Sequence, residues 1–151
     1  MKALTLTQPW ASLVAIGAKT VETRSWSTKY RGPIAIHAAK DYPASARAYT
    51  VNEPIVRAQL EAQFSDPGRI PTGAVIAVAE LVDVVPTGRI ITDLIGPARW
   101  MRMRDLILIS TAEALVGDFS DGRFGWLFAH VHRFQVPVPT KGMLGLWETR
   151  L

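Results

Sequence analysis

The strongest strand signal in this sequence is at residues 74–85, an apolar run rich in Val, Ile and Ala that is interrupted by Glu80 and Asp83. This composition is typical of a strand in a buried sheet. Other strand-like segments lie at residues 2–7, 21–26, 34–38, 106–109 and 125–136. Because helical patterns fall between some of them without a regular strand–helix–strand rhythm, the sequence predicts an α+β domain with a curled mixed sheet.

Two or three short helices are expected beside this sheet. One begins at Pro9 and ends at Gly17, and a second opens at Pro54 in a partly irregular stretch. Ser110 and Glu113 have the spacing of a capping box before a third. Since no linker or repeat divides the 151 residues, we expect a single domain over residues 1–151.

Several classes of function are excluded by what the sequence lacks. It has no cysteine, which rules out disulfides, thiolate zinc sites and cysteine nucleophiles. It has no phosphate loop, dinucleotide fingerprint or Gly-x-Ser-x-Gly elbow, so no cofactor is expected. No apolar run reaches the ~18 residues of a membrane span, and the N-terminus does not resemble a signal peptide, so we expect a cytoplasmic protein that does not enter membranes.

The positive charge is concentrated in the first part of the chain. Residues 1–57 hold eight Lys and Arg against three Asp and Glu, whereas residues 58–151 hold nine against ten. A one-sided basic field favours a surface that binds phosphates, although many unrelated proteins are equally basic.

A dense group of functional side chains follows Gly17. Alternation along a strand places Glu22, Arg24 and Trp26 on one face, with Lys19 at its entrance. A carboxylate between two cations is expected to hold them in place and to remain ionised, and an indole offers a surface on which a base can stack. The alternative is an exposed Glu–Arg pair beside a half-buried Trp, which is ordinary in a sheet.

Two further features have both structural and functional interpretations. His130 and His132 are expected to share a strand face with Trp126, Phe128 and Phe134, but no third ligand is evident, and no metal site is predicted. Residues 99–104 alternate arginines with large apolar groups, which suits either a nucleic-acid surface or a helix whose arginine stems cover a core.

Several motifs together resemble the ASCH domain, named for activating signal cointegrator homology. They are Leu-Thr-Gln-Pro-Trp-Ala-Ser-Leu at 6–13, Gly-x-Lys-x-x-Glu-x-Arg at 17–24 with Ser-Trp after it, Tyr-Arg-Gly at 30–32, His-Ala-Ala-Lys at 37–40, Pro-Val-Pro-Thr-Lys-Gly at 137–142 and Gly-Leu-Trp at 145–147. The resemblance covers roughly residues 3–40, 70–85 and 124–149.

The resemblance implies a PUA-like small mixed β-barrel with two or three short flanking helices. It also implies a basic cleft, lined by the Gly-x-Lys-x-x-Glu-x-Arg motif, that binds RNA or another nucleic acid. Because splayed bases suit a small aromatic-lined cleft, the expected partner is RNA or a single-stranded nucleic acid, or a nucleoside or nucleotide. The expected binding residues are Lys19, Glu22, Arg24, Trp26, His37, Lys40, Lys141 and Trp147. Trp26 or Trp147 would stack a base, while His37 could contact a base or phosphate or could simply be a half-buried structural histidine.

Two alternatives remain open. Some small members of the family hydrolyse acetylcytidine and others have been proposed to cut RNA, which would make Lys19 and Glu22 candidate catalytic residues. In the amidohydrolases a threonine stands three positions after the lysine, where this chain has Glu22. Because Glu22 is also expected to raise the pKa of Lys19, binding is favoured over catalysis. The other alternative is a protein-interaction module with a vestigial cleft.

Overall fold

The computed structural model describes residues 1–92 and 103–151. The first half of the chain forms β1 (Lys2–Leu6), α1 (Trp10–Ala15), β2 (Val21–Arg24), β3 (Gly32–Ala38), α2 (Ala44–Asn52), α3 (Pro54–Glu61) and β4 (Ala74–Pro86). The second half forms β5 (Ile90–Ile91), β6 (Ile107–Leu108), α4 (Thr111–Leu115), β7 (Phe124–Pro139) and β8 (Leu146–Glu148). Short 3₁₀ turns lie at Thr87–Arg89 and Met103–Asp105.

Six strands form one curled sheet in the order β2-β7-β4-β3-β1-β8. The pair β1–β3 is parallel and the other neighbours are antiparallel, so the sheet is mixed. The pairing of β4 with β7 shifts register at three places, and such bulges bend strands and increase their twist. The result is a half-barrel with short helices around it, which confirms the predicted α+β class and curled mixed sheet.

Apolar side chains on the inner face of the sheet form the main core. Leu4, Ile36, Leu81 and Trp126 belong to it, and α1 packs there through Val14. A second cluster joins the other side of α1, at Leu13, to the helical segment that contains α2 and α3. These two clusters hold α1 firmly, and therefore also fix the start of the segment that carries Lys19.

The long strand β7 does not keep the single face expected from its sequence. Trp126 and Phe128 are buried, but the backbone at His130 has a φ of +49°. Strand alternation is broken there, and both His130 and His132 are exposed. Within residues 1–92 and 103–151, no three His, Asp or Glu side chains are close enough to hold a metal ion.

Two other sequence predictions concern segments that the pattern left poorly defined. Most of residues 99–104 lies outside the described ranges, so neither interpretation of its arginines is tested. Between residues 41 and 72, the irregular stretch contains a complete helix, α2, before the helix predicted at Pro54.

None of the helices in the described ranges is both long and apolar enough to cross a bilayer.

Candidate nucleic-acid interface

An open cleft of about 750 Å³ lies beside β2 and the end of β1. Its opposite side is formed by α2 and by residues 115–118, at the end of α4 and just after it. The described residues that line it are Thr5, Leu6, Thr7, Trp10, Lys19, Glu22, Thr23, Arg24, Pro43, Ser45, Ala46, Tyr49, Leu115, Val116, Gly117, Asp118 and Arg123. Three of the eight residues predicted from the sequence, Lys19, Glu22 and Arg24, meet here.

Lys19 is placed by the end of α1. Gly17 has a φ of +78°, a conformation that glycine adopts at little cost, and the chain then turns so that the Lys19 amide donates to the Leu13 carbonyl. The Lys19 residue is only 1% exposed, and its Nζ donates a 2.7 Å hydrogen bond to the Val116 carbonyl. A lysine on the cleft wall is therefore both buried and tethered to the opposite side of the cleft.

Glu22 lies on β2 with one carboxylate oxygen buried and unsatisfied. Its Oε2 has no hydrogen-bond partner within residues 1–92 and 103–151. Burial raises the pKa of Glu22, and the positive charges of Lys19 and Arg24 oppose this only in part. The expectation that Glu22 stays fully ionised is therefore too simple, because the carboxylate has lost most of its hydration.

The pKa of Lys19 moves in the opposite direction from the one predicted. Burial lowers the pKa, while the negative charges of Glu22 and Glu113 raise it by a smaller amount. The expectation that Glu22 would keep this pKa high is wrong, since it counted the neighbouring charge and omitted desolvation. In this cleft an acid and a base are thus both shifted towards their neutral forms.

Arg24 closes one end of the cleft. Its Nη2 donates to the Thr5 carbonyl, while its Nε is buried without a partner in the described ranges. The guanidinium carbon lies 5.9 Å from the centre of the Trp26 ring. Arg123 stands nearby on the cleft wall and donates to the Thr23 carbonyl at 3.1 Å. Its charge is paired with the Asp118 carboxylate, 3.4 Å from its Nε, and Asp118 lines the same cleft.

An aromatic pair that the sequence did not assign to the site forms another wall. The rings of Trp10 and Tyr49 are stacked, with centres 5.7 Å apart and planes 16° from parallel. The Tyr49 hydroxyl donates to the Leu115 carbonyl at 3.1 Å. In the sequence Trp10 is only part of the Gln-Pro-Trp motif, and Tyr49 lies on the helix that the sequence pattern did not resolve.

Glu113 also has a role at the site that the sequence did not predict, since its spacing from Ser110 indicated only helix capping. The predicted cap is present, since the Ser110 hydroxyl accepts from the Glu113 amide. The Glu113 carboxylate, however, turns towards β2 and accepts from the Thr20 amide, the Thr20 hydroxyl and the Val21 amide at 2.9 to 3.2 Å. It therefore fixes α4 to the segment that carries the motif.

The two tryptophans predicted to stack a base pack against other side chains of the domain, and Trp26 is only half-buried. Trp26 meets Trp126 edge to face at 4.7 Å, and its carbonyl accepts from the Trp126 indole. Trp147 is 7% exposed, and its indole donates to the Thr5 hydroxyl. Neither is among the described residues that line the cleft.

The remaining predicted residues line a separate pocket of about 630 Å³. His37, Lys40 and Lys141 are found there, whereas Lys19, Glu22 and Arg24 line the cleft. Thr5 lines both. The structure thus divides the predicted set between two neighbouring depressions on either side of Thr5.

Known structures share the fold of this chain, and the sequence comparisons point to a single protein family. Two crystal structures of ASCH proteins from Zymomonas mobilis, one of them a point mutant, match 99% of this chain with TM-scores of 0.51 and 15% identity. The match covers 89% of the mutant chain and 87% of the other. At this identity the likeness shows the fold alone.

Among curated proteins, activating signal cointegrator 1 from Homo sapiens is 35% identical over 82 residues, and its counterpart from Mus musculus is 34% identical over 80 residues. Each alignment covers 53% of this chain, and the chain matches 14% of the length of each of these relatives. The ASCH domain family model matches residues 4–137, and this family is generally considered to bind RNA. Since that match spans most of the sequence, the chain belongs to the ASCH domain family.

Proposed function

We propose that this domain binds single-stranded RNA and takes one unstacked nucleotide into the cleft of about 750 Å³. The observation that carries the proposal is the composition of the cleft wall. A buried lysine, a half-buried arginine and an unsatisfied carboxylate oxygen lie in the same cleft as a stacked aromatic pair. RNA-binding proteins recognise splayed bases by such combinations of stacking and hydrogen bonding.

Each part of the wall has a role in this proposal. Arg24 attracts the sugar–phosphate backbone, and the Trp10–Tyr49 pair offers an aromatic face to the base. The free Glu22 oxygen accepts a hydrogen bond from an amino or imino group of the base, which would satisfy a buried polar atom that otherwise has no partner in the described ranges.

A single-stranded ligand suits this site better than a duplex. The cleft is a confined depression, and the bases of a duplex are stacked and paired, so they cannot enter it without being extruded. With few phosphates contacted, we expect micromolar or weaker affinity that decreases as salt increases.

The binding test uses fluorescein-labelled hexameric RNAs, rA6, rC6, rG6 and rU6, and fluorescence anisotropy at low salt. Arg24→Gln and Lys19→Met should each weaken binding at least several-fold. The matched control is Lys29→Ala, because Lys29 is exposed and lines neither the cleft nor the second pocket. Circular dichroism confirms that each variant is folded.

The proposal fails if wild-type protein retains none of these RNAs at low salt, which is the outcome expected of a protein-interaction module. It also fails if folded cleft variants bind as the wild type does.

A second candidate function is hydrolysis of a modified nucleoside or of RNA in the same cleft. The observation that favours it is the opposite displacement of two pKa values, with burial lowering that of Lys19 and raising that of Glu22. Displacements in these directions bring the pKa values of an acid and a base closer together, which favours general acid–base catalysis. Glu22 still occupies the position at which the amidohydrolase type carries threonine.

The catalytic test incubates purified protein with acetylcytidine and, separately, with end-labelled RNA, each with and without divalent metal. Product that forms with wild type and Lys29→Ala, but not with Lys19→Met or Glu22→Gln, would support catalysis. Binding without product in any arm would leave the domain as a binding module.

A further inference from the structure

The second pocket, of about 630 Å³, lies next to the cleft. It is formed by the end of β3 and the loop between β7 and β8, and the described residues that line it are Thr5, His37, Ala39, Lys40, Gly73, Thr140, Lys141, Gly142, Met143 and Leu144. Thr5 belongs to the wall of both depressions. The two depressions therefore have one wall residue in common.

The charge of this pocket is positive and uncompensated. Lys40 and Lys141 are both exposed, and neither forms a salt bridge with any residue in 1–92 or 103–151. The described lining contains no acidic residue. Two unpaired lysines on one pocket favour an anionic ligand.

The loop that carries Lys141 is held in a defined position. His37 is 1% exposed, and its Nε2 donates a 2.8 Å hydrogen bond to the Thr140 carbonyl, which can only accept. The Thr5 hydroxyl donates to the Met143 carbonyl at 3.0 Å. Between these two anchors, a Cβ added to Gly142 would lie 2.4 Å from the His37 ring, so the close approach requires glycine.

We propose that the second pocket binds a backbone phosphate of the RNA strand whose base occupies the cleft. The inference rests on the proposed function and extends it, because it makes the ligand a strand of at least two nucleotides rather than a free nucleoside. Lysine is a point charge that binds phosphate without demanding a particular base, so this pocket adds affinity with little sequence preference.

The test compares wild type with the double variant Lys40→Ala/Lys141→Ala and with the control Lys29→Ala. Anisotropy with the tightest-binding labelled RNA hexamer gives Kd between 25 and 200 mM KCl, roughly the range over which phosphate contacts dominate. For one lost phosphate contact, the slope of log Kd against log salt should decrease by about 0.7 in the double variant. Its Kd at the lowest salt should rise at least threefold, while Lys29→Ala matches the wild type.

A nucleoside titration separates this inference from the proposed function. The nucleoside that corresponds to the preferred hexamer is titrated while the protein's tryptophan fluorescence is followed. The double variant should bind the nucleoside as tightly as wild type, because both lysines lie outside the cleft. If hexamer affinity and slope are unchanged in the double variant, the phosphate site is refuted while the cleft proposal stands. If neither hexamer nor nucleoside binds wild type, both proposals are refuted.

Discussion

The Arg24 guanidinium donates a hydrogen bond to the Thr5 carbonyl, and this bond connects β2 to β1 across the side of the sheet that strand pairing leaves open. β2 is one edge of the six-stranded sheet, and β1 lies beside the other edge, β8. A single side chain thus helps to bring the two ends of the half-barrel together. Because Thr5 also borders the second pocket, the same bond places the cleft and that pocket side by side.

Arg24→Lys should destabilise the fold although it keeps the charge. A lysine ammonium lacks the planar fork of the guanidinium and cannot reproduce its geometry at Thr5. We expect a loss of about 1–3 kcal/mol in the free energy of unfolding, measured by urea denaturation, because a partly buried hydrogen bond from a charged donor is removed. Arg69→Lys, at an exposed position, is the control and should change the stability little. Equal stabilities of the two variants would show that the Arg24–Thr5 bond does not hold the sheet.

Glu113→Gln should loosen the start of β2. The carboxylate accepts from two backbone amides and one hydroxyl, whereas an amide side chain would turn an NH₂ group towards at least one of these donors. A cost of about 1.5–3 kcal/mol is expected. Hydrogen exchange at the Thr20 and Val21 amides, measured by NMR, should accelerate more than exchange in β3. Unchanged protection at these two amides would contradict the role given to Glu113.

The pH dependence of the free energy of unfolding should show that the pKa of Glu22 is raised in the folded protein. Burial raises its pKa, so above the ordinary value of about 4.3 and up to the raised value, the folded protein keeps a proton that the unfolded chain releases. The stability contributed by this group is complete below that window and is lost as the pH rises through the raised pKa.

The free energy of unfolding of wild type minus that of Glu22→Gln should therefore decrease as the pH rises from about 4. The subtraction cancels other titrating groups that are common to both proteins. Parallel curves for the two proteins would mean that Glu22 ionises in the folded state as it does in the unfolded chain.

Tyr49→Leu should weaken RNA binding, whereas Tyr49→Phe should not. The leucine removes one ring of the stacked pair with Trp10, and the phenylalanine keeps the ring while losing the hydroxyl bond to Leu115. Loss of stacking on one base corresponds to about 1–3 kcal/mol, which is roughly a 5- to 150-fold increase in Kd. Fluorescence anisotropy with the labelled hexamers measures this change in Kd. If the two variants bind equally well, the aromatic wall does not contact a base.

Gly142→Ala should destabilise the protein, and Gly88→Ala should not. An added Cβ at Gly142 would lie 2.4 Å from His37 and 3.1 Å from the Thr5 hydroxyl, whereas one at Gly88 meets nothing within 4 Å. We expect a cost of about 1–3 kcal/mol for the crowded site, measured as a decrease in unfolding free energy. A neutral Gly142→Ala would show that the loop carrying Lys141 is free to move away from His37.

Much of the fold was predictable because its signals are local. The apolar run of β4 and the glycine that ends α1 depend only on neighbouring residues, and both were placed close to their observed bounds. The helix α2 was not resolved, and its low amphipathicity explains why, since it buries only Ala46 and Thr50. The break at His130 was missed for a different reason, because a bulge depends on the register of the partner strand.

By itself, the sequence determined the period of the strands, the family motifs and the presence of Lys19, Glu22 and Arg24 within one short segment. Only the tertiary structure decided how far the side chains of Lys19 and Glu22 are buried, and therefore in which direction their pKa values move. The carbonyl that holds Lys19 comes from a residue 97 positions away, and the segment around it removes water from the lysine and its acidic neighbour. Desolvation depends on everything packed around a charge, whereas a motif reports only the charges next to it, so the sequence predicted the wrong direction for the pKa of Lys19.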